Sequence, residues 1–291
     1  MLKDLLQTMR PKQWSKNIFI FGALVFDKKL FVLTCFLKTL GAFVLFCLLS
    51  SMVYIINDLG DIEKDRQHPV KRNRPLASGS LKPGVAIGVA GGILVVLLPL
   101  AFVLDVGFGI IAVTYLLNNL LYTFKLKNVV IIDVLSIAAG FVLRVGAGVT
   151  IIPTERFSPW IYVCMTLLAL FLGFGKRRHE LVLMTSDANN HRRVLDDYNL
   201  TFLDEMMGVV TASTVMAYAI YTFSAEGLPS NRSMMLTVPF VLYAIFRYLY
   251  LIHVRGEGGA PEEILLGDLP FLLDVALWGV LVVILLYSFP A

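Results

Sequence analysis

Three aspartates recur at Asp58, Asp61 and Asp65, directly after Asn57. On a helix the i, i+3, i+7 spacing puts all three carboxylates on one face. Adjacent like charges repel, so the arrangement calls for a compensating cation. Oxygen ligands without His or Cys suit Mg²⁺, which keeps several waters and links one or two carboxylates to substrate phosphates. Asp58 and Asp61 are the leading ligands. Asp65 lies two turns from Asp58 and either joins them or holds a basic side chain. Basic residues follow at Lys64, Arg66, Lys71, Arg72, Arg74 and Lys82. The stretch thus offers acid for a metal and base for phosphate oxygens. A solvated charged loop explains its positive charges, but not three aspartates on one face.

The elements that position these residues are apolar helices. The chain has 291 residues, 57% hydrophobic and 16% charged, with a mean hydropathy of +0.76. A soluble chain averages roughly 45–50% apolar and about 25% charged. This composition excludes a soluble enzyme, a disulfide scaffold and a disordered chain, and implies a polytopic all-α membrane protein. A spanning helix needs about 20 mostly apolar residues. Nine such runs are predicted, at 14–31, 34–56, 85–104, 107–124, 128–149, 158–175, 205–226, 232–253 and 269–288. No cleavable signal precedes the first run, which is read as a retained span. Two breaks are long and polar, the loops 57–84 and 176–204. Cys35, Cys47 and Cys164 lie singly in apolar runs, so no zinc-type site is expected.

Charge placement sets the orientation. With the N-terminus inside, 18 of the 25 Lys and Arg residues face the cytoplasm. The positive-inside bias therefore favours a cytoplasmic N-terminus and an external C-terminus, with both long loops cytoplasmic. The net charge of +4 reflects this topology, and no nucleic-acid partner is expected. Asp133, Arg144 and Arg247 fall inside predicted spans. A charge there is costly and usually faces the bundle interior or snorkels outward.

Asn57-Asp58-x-x-Asp61-x-x-x-Asp65 resembles the first signature of the UbiA-type intramembrane prenyltransferase superfamily. The resemblance implies a single domain over 1–291: nine helices in one bundle, with cytoplasmic cap loops over a central cavity. It also implies Mg²⁺, a polyprenyl substrate and a homotrimer in the inner cell membrane. Further stretches resemble the decaprenyl-phosphate phosphoribosyltransferase branch. These are Arg10-Pro11-Lys12-Gln13-Trp14-Ser15-Lys16-Asn17 and His68-Pro69-x-Lys71-Arg72-x-Arg74-Pro75. With them go Tyr122 and Lys127, Asp133, the run Gly140–Arg144, the run Gly175-Lys176-Arg177-Arg178-x-Glu180-Leu181, and Arg192 with Tyr198.

That branch transfers phosphoribose from 5-phosphoribosyl 1-diphosphate to a polyprenyl phosphate, a precursor step toward lipid-linked arabinose for cell-wall arabinan. The resemblance places Mg²⁺ on Asp58, Asp61 and Asp65. It assigns Asp58, Asp61, Lys71 and Arg72 to the leaving diphosphate. Lys12, Lys16, Asn57, Asp65, His68, Arg74, Tyr122, Lys127, Asp133, Arg144, Lys176, Arg177, Glu180, Arg192 and Tyr198 are expected around the substrates. Usual prenyltransferases carry a second Asp-rich motif after span 6, where this chain has Lys176-Arg177-Arg178. A donor with two separate anionic ends needs such cations, because guanidinium forks bind phosphate bidentately. These three residues are otherwise a positive-inside anchor for span 6. The nearest rival is an aromatic or quinone-precursor prenyltransferase using a polyprenyl diphosphate donor. A lipid or small-molecule transporter is a second rival, and a structural membrane subunit a third. No clear inverted repeat supports the transporter.

Overall fold

A computed structural model describes residues 1–67, 71–153, 158–184, 193–257 and 261–290. Among them it contains helices and no strand. The helices are α1 (Leu2–Met9), α2 (Gly22–Phe26), α3 (Leu33–Gly60), α4 (Ile62–Gln67), α5 (Pro75–Ser78), α6 (Pro83–Leu104) and α7 (Val106–Phe124). They continue with α8 (Ile132–Ile151), α9 (Pro159–Met184), α10 (Leu200–Ser224), α11 (Val238–His253), α12 (Pro261–Gly267) and α13 (Leu269–Ser288).

The chain divides into two compact units. The first comprises Met1–Leu24, Lys29–Lys125 and Leu143–Pro153. In it α3 packs on α1, α6 and α7, around a core that includes Phe46, Leu49, Ile55, Phe108 and Tyr115. The second comprises Val25–Lys28, Leu126–Val142 and Thr154–Ala291. There α10 packs on α9 and α11, and α11 on α13, around Phe171, Phe174, Leu203, Ile245 and Tyr248.

Eight helical segments among the described residues are long and apolar enough to cross a membrane. They fall on eight of the nine predicted runs. Polar caps end them where turn signals stood in the sequence. Asp105 accepts from the Phe108 N–H at 2.8 Å and starts α7 one residue after α6 ends. Asn199 and Asp268 cap α10 and α13 in the same way. Each cap satisfies one of the orphan donors of a helix start.

Two expectations change. The run 14–31 is not one long helix. It is an eleven-residue 3₁₀ segment, Pro11–Phe21, followed by the short α2. A 3₁₀ helix rises about 2.0 Å per residue against 1.5 Å for α, so the two pieces climb roughly 30 Å. That equals the hydrocarbon thickness of about 30 Å. By reach the composite equals a ninth crossing, although it is too irregular to count as a spanning helix. The second change concerns residues 176–184, predicted as loop. They continue α9, and Arg177 pairs with Glu180 one turn on at 2.7 Å. Charge was read as the end of a helix where it marks only the end of the apolar stretch.

Gly148 shows how closely the 3₁₀ segment approaches α8. A Cβ there would lie 2.0 Å from the Ile20 carbonyl oxygen. Only a residue without a side chain leaves room for that backbone. Gly148→Ala is therefore expected to destabilise the protein by about 1–3 kcal/mol, as overpacking does. Thermal melts of detergent-solubilised variant and wild type check this.

Candidate active site

The first unit gathers the acidic motif. Asp58 lies in the last turn of α3 and is 3% exposed. A helix C-terminus carries partial negative charge, so a carboxylate there needs cations nearby. Two are present. Arg10 Nη2 donates to Asp58 Oδ1 at 2.5 Å, and Arg74 Nη1 donates to the same oxygen at 3.2 Å. Arg74 Nη1 also reaches Asp65 Oδ2 at 2.7 Å, and Asp65 is buried. For Asp58 and Asp65 the compensation that repulsion demanded is thus supplied by two arginines. Asp65 does what one of its two readings proposed: it holds a basic side chain.

The three aspartates do not lie on one unbroken helix. Asp61 is the C-cap of α3, and α4 starts at the next residue. Asp58 and Asp65 still meet, through the shared Arg74 nitrogen. Asn57 accepts a hydrogen bond from Thr123 Oγ1 of α7, which fixes its side chain. Among the described residues no group of three His, Cys, Asp or Glu side chains is already arranged as a metal cage. The donor chemistry nevertheless fits a hard cation. Asp58, Asp61 and Asp65 offer only carboxylate oxygens, at the end of a helix whose dipole favours positive charge.

In the sequence Arg10 stands out only as part of its motif. It joins α1 to the 3₁₀ segment with φ 53° and ψ 62°. This left-handed conformation costs a non-glycine residue roughly 1–2 kcal/mol. The following Pro11 disfavours it further. The strained backbone holds a side chain that meets Asp58 and lies 4.8 Å over the Tyr54 ring. No pattern of spacing shows such a placement; an Arg-Pro pair just after a short amphipathic helix was the available signal.

The second unit gathers a separate buried cluster. Asp133 stands in the first turn of α8 and is fully buried. Its Oδ1 accepts from the Tyr198 hydroxyl at 2.8 Å, and its Oδ2 lies 3.6 Å from Arg177 Nε. Arg177 on α9 is 0% exposed, and its Nη1 lies 2.7 Å from Glu180 Oε2. The Tyr198 hydroxyl also accepts from the Ile131 N–H at 2.7 Å. Ile131 has φ 67°, an outlier for a β-branched residue. Tyr198 thus ties the strained turn that starts α8 to Asp133. Burial above all holds the Tyr198 phenol well above its ordinary range, so it keeps its proton and donates.

The remaining expected residues are spread out. Arg144 is buried in the first unit, where it donates to Asn17 Oδ1 at 2.8 Å and to the Tyr115 hydroxyl at 3.0 Å. It faces the bundle interior and does not snorkel. Arg247, the other intramembrane arginine, pairs with Asp268 at 2.8 Å. Lys12 and Arg72 are exposed; Lys16, Lys71, Tyr122, Lys127 and Lys176 are half-buried. Arg178 pairs with Asp204 at 2.6 Å. His68 and Arg192 lie outside the described residues.

A model of the UbiA prenyltransferase family matches residues 18–262. The chain belongs to that family. Three curated relatives share the name decaprenyl-phosphate phosphoribosyltransferase. The one from Corynebacterium glutamicum is 31% identical, over 98% of this chain and 87% of its own length. The Mycolicibacterium smegmatis relative is 32% identical over 92% and 87%. The Mycobacterium tuberculosis relative is 31% identical over 96% and 92%. Among solved structures, a UbiA homologue from Archaeoglobus fulgidus bound to DMAPP and Mg²⁺ superposes with a TM-score of 0.73. It is 19% identical, covering 98% of this chain and all of that one. A digeranylgeranylglyceryl phosphate synthase superposes with a TM-score of 0.65 at 20% identity, covering 99% of each chain. At these identities the likeness speaks for the fold. With its apolar helices and family membership, the chain is a multi-pass membrane protein.

Proposed function

We propose that this UbiA-family enzyme transfers 5-phosphoribose from 5-phosphoribosyl 1-diphosphate to a polyprenyl phosphate, releasing diphosphate. The observation that carries this reading is the near-full-length likeness to relatives that share one enzyme name. The reading treats the 291 residues as one functional domain. It places the N-terminus and both charged segments in the cytoplasm, where a water-soluble donor is available. The product fits a precursor of lipid-linked arabinose for arabinan.

The chemistry asks little of the protein beyond charge and position. The acceptor is a phosphate already ionised at neutral pH, so no general base is needed. Its oxygen forms the bond to C1 while the bond from C1 to the diphosphate oxygen breaks, the electron pair leaving with diphosphate. One in-line displacement inverts C1, from the alpha donor to a beta product. Asp58, Asp61 and Asp65 would hold Mg²⁺. When bound, the ion supplies positive charge to the departing diphosphate. Lys71, Arg72 and Arg74 add cationic groups just after the aspartates in the chain, Arg10 reaches Asp58 from the N-terminal arm, and guanidinium forks suit phosphate. Apolar helices keep the prenyl chain in lipid.

The test is turnover of radiolabelled donor by the purified protein with polyprenyl phosphate. Label should enter the lipid and diphosphate should be released. EDTA should abolish turnover. Mg²⁺ or Mn²⁺ should restore it and Zn²⁺ should not, because the ligands are oxygens alone. Full activity in metal-free buffer would refute the carboxylate assignment.

A further inference from the structure

We propose that Arg10 and Arg74 are exchangeable counter-ions: they pair with Asp58 and Asp65 in the free enzyme and pass to the donor's diphosphate when a divalent ion takes the carboxylates. The inference rests on the metal and donor assignments above and adds how the two ligands are coupled.

A carboxylate oxygen offers two acceptor positions. Asp58 Oδ1 receives Arg10 at 2.5 Å and Arg74 at 3.2 Å, which uses both. Arg74 also occupies Asp65 Oδ2. Within the paired set, two guanidinium charges balance the carboxylates of Asp58 and Asp65, and Asp61 adds one further negative charge to the proposed metal site. A divalent ion must displace a guanidinium from Oδ1 or enter beside two like charges. Either event leaves a surplus of positive charge in a half-buried place. The diphosphate of the donor is the group that neutralises it.

Both side chains have freedom to make the transfer. Arg10 is 28% and Arg74 30% exposed, so neither is locked in the core. The Arg10 guanidinium also lies 4.8 Å over the Tyr54 ring while it bonds Asp58, and that ring face attracts a cation whether or not the carboxylate is present. The Arg10 backbone keeps its strained left-handed turn, so the exchange needs only side-chain rotation. Metal and diphosphate should then bind with positive coupling, and the coupling is reciprocal.

This reading predicts an effect of opposite sign on the two ligands. The probes are Mn²⁺ followed by electron paramagnetic resonance and inorganic diphosphate followed by calorimetry, on the full chain in detergent. Without diphosphate, Arg10→Gln should bind Mn²⁺ about tenfold more tightly than wild type, having lost one competing charge-assisted bond. The same variant should bind diphosphate about tenfold more weakly when Mn²⁺ is present. Arg10→Lys keeps the charge and should stay near wild type for Mn²⁺. If Arg10→Gln does not fold, Arg74→Gln carries the same expectation. Unchanged or weaker Mn²⁺ binding in a folded Arg→Gln variant overturns the exchange and leaves Arg10 as a brace for α1. Phosphoribosyl transfer is measured on the same wild-type preparation. An active wild type with unmoved Mn²⁺ affinities overturns the exchange alone. An inactive wild type overturns the proposed function, while the sign of the Mn²⁺ change still decides the exchange.

Discussion

Asp58→Ala should abolish phosphoribosyl transfer, by 10²-fold or more in kcat/KM, while the protein remains folded in detergent. Losing one preorganised electrostatic group at a developing charge costs about 10²–10³ in rate. Asp58 is also the oxygen on which Arg10 and Arg74 converge, so its loss misplaces both cations. The effect on stability should be smaller. Removing one partner of a fully buried pair costs about 3–5 kcal/mol. The two guanidiniums left behind are each more than a quarter exposed and can turn to water. The expected cost falls to about 1–2 kcal/mol. Asp58→Asn separates charge from shape: it should be nearly as inactive as Asp58→Ala and closer to wild type in its melt. Wild-type turnover with either variant would exclude Asp58 from the reaction.

The second large effect is on stability. Asp133→Ala should cost about 3 kcal/mol, because it removes one of two carboxylates beside a guanidinium that has no route to water and the acceptor of a buried hydroxyl. Arg177 is 0% exposed, and its other partner, Glu180, lies at its far nitrogen. The Tyr198 hydroxyl would lose its acceptor as well. A thermal melt in detergent should fall by on the order of 10 °C. Pairing the change with Arg177→Leu should recover most of it, since a buried ion pair can be exchanged for apolar packing. Recovery of stability without recovery of turnover would give the cluster a part in donor use. Recovery of both would make it a brace for the start of α8. An Asp133→Ala melt equal to wild type would contradict the buried pairing itself.

What was legible in the sequence follows from the physics of each feature. Long apolar runs can do little in water, so eight candidate crossings could be placed from them, although the charged end of α9 and the polar start of α10 run beyond the expected limits. The run 14–31 is a 3₁₀ segment and a short α-helix and not one long α-helix, because length and apolar content imply reach, while hydrogen-bond pattern is decided by packing such as the contact at Gly148. Asp58, Asp65 and Arg74 could be named from spacing and residue type. The partnership of Arg10 could not, because it depends on a left-handed residue ahead of a proline. Asp133, Arg177, Glu180 and Tyr198 were named one by one from their resemblance. That they form a single buried cluster is a tertiary fact, joining residues up to 65 positions apart. Burial also recasts Arg177. Its guanidinium is held by Asp133 and Glu180 in this structure, so a direct grip on phosphate would require that cluster to open.

The proposed donor is a phosphoribosyl diphosphate. The most direct measurement is a paired donor assay with the purified wild type, Mg²⁺ and polyprenyl phosphate. 5-Phosphoribosyl 1-diphosphate should yield labelled polyprenyl phosphoribose and free diphosphate. Ribose 1-diphosphate, lacking the 5-phosphate, should be used roughly 10- to 150-fold less well, the worth of one charge-assisted hydrogen bond at about 1.5–3 kcal/mol. Equal use of the two donors, or transfer only from a polyprenyl diphosphate to an aromatic acid, would contradict it.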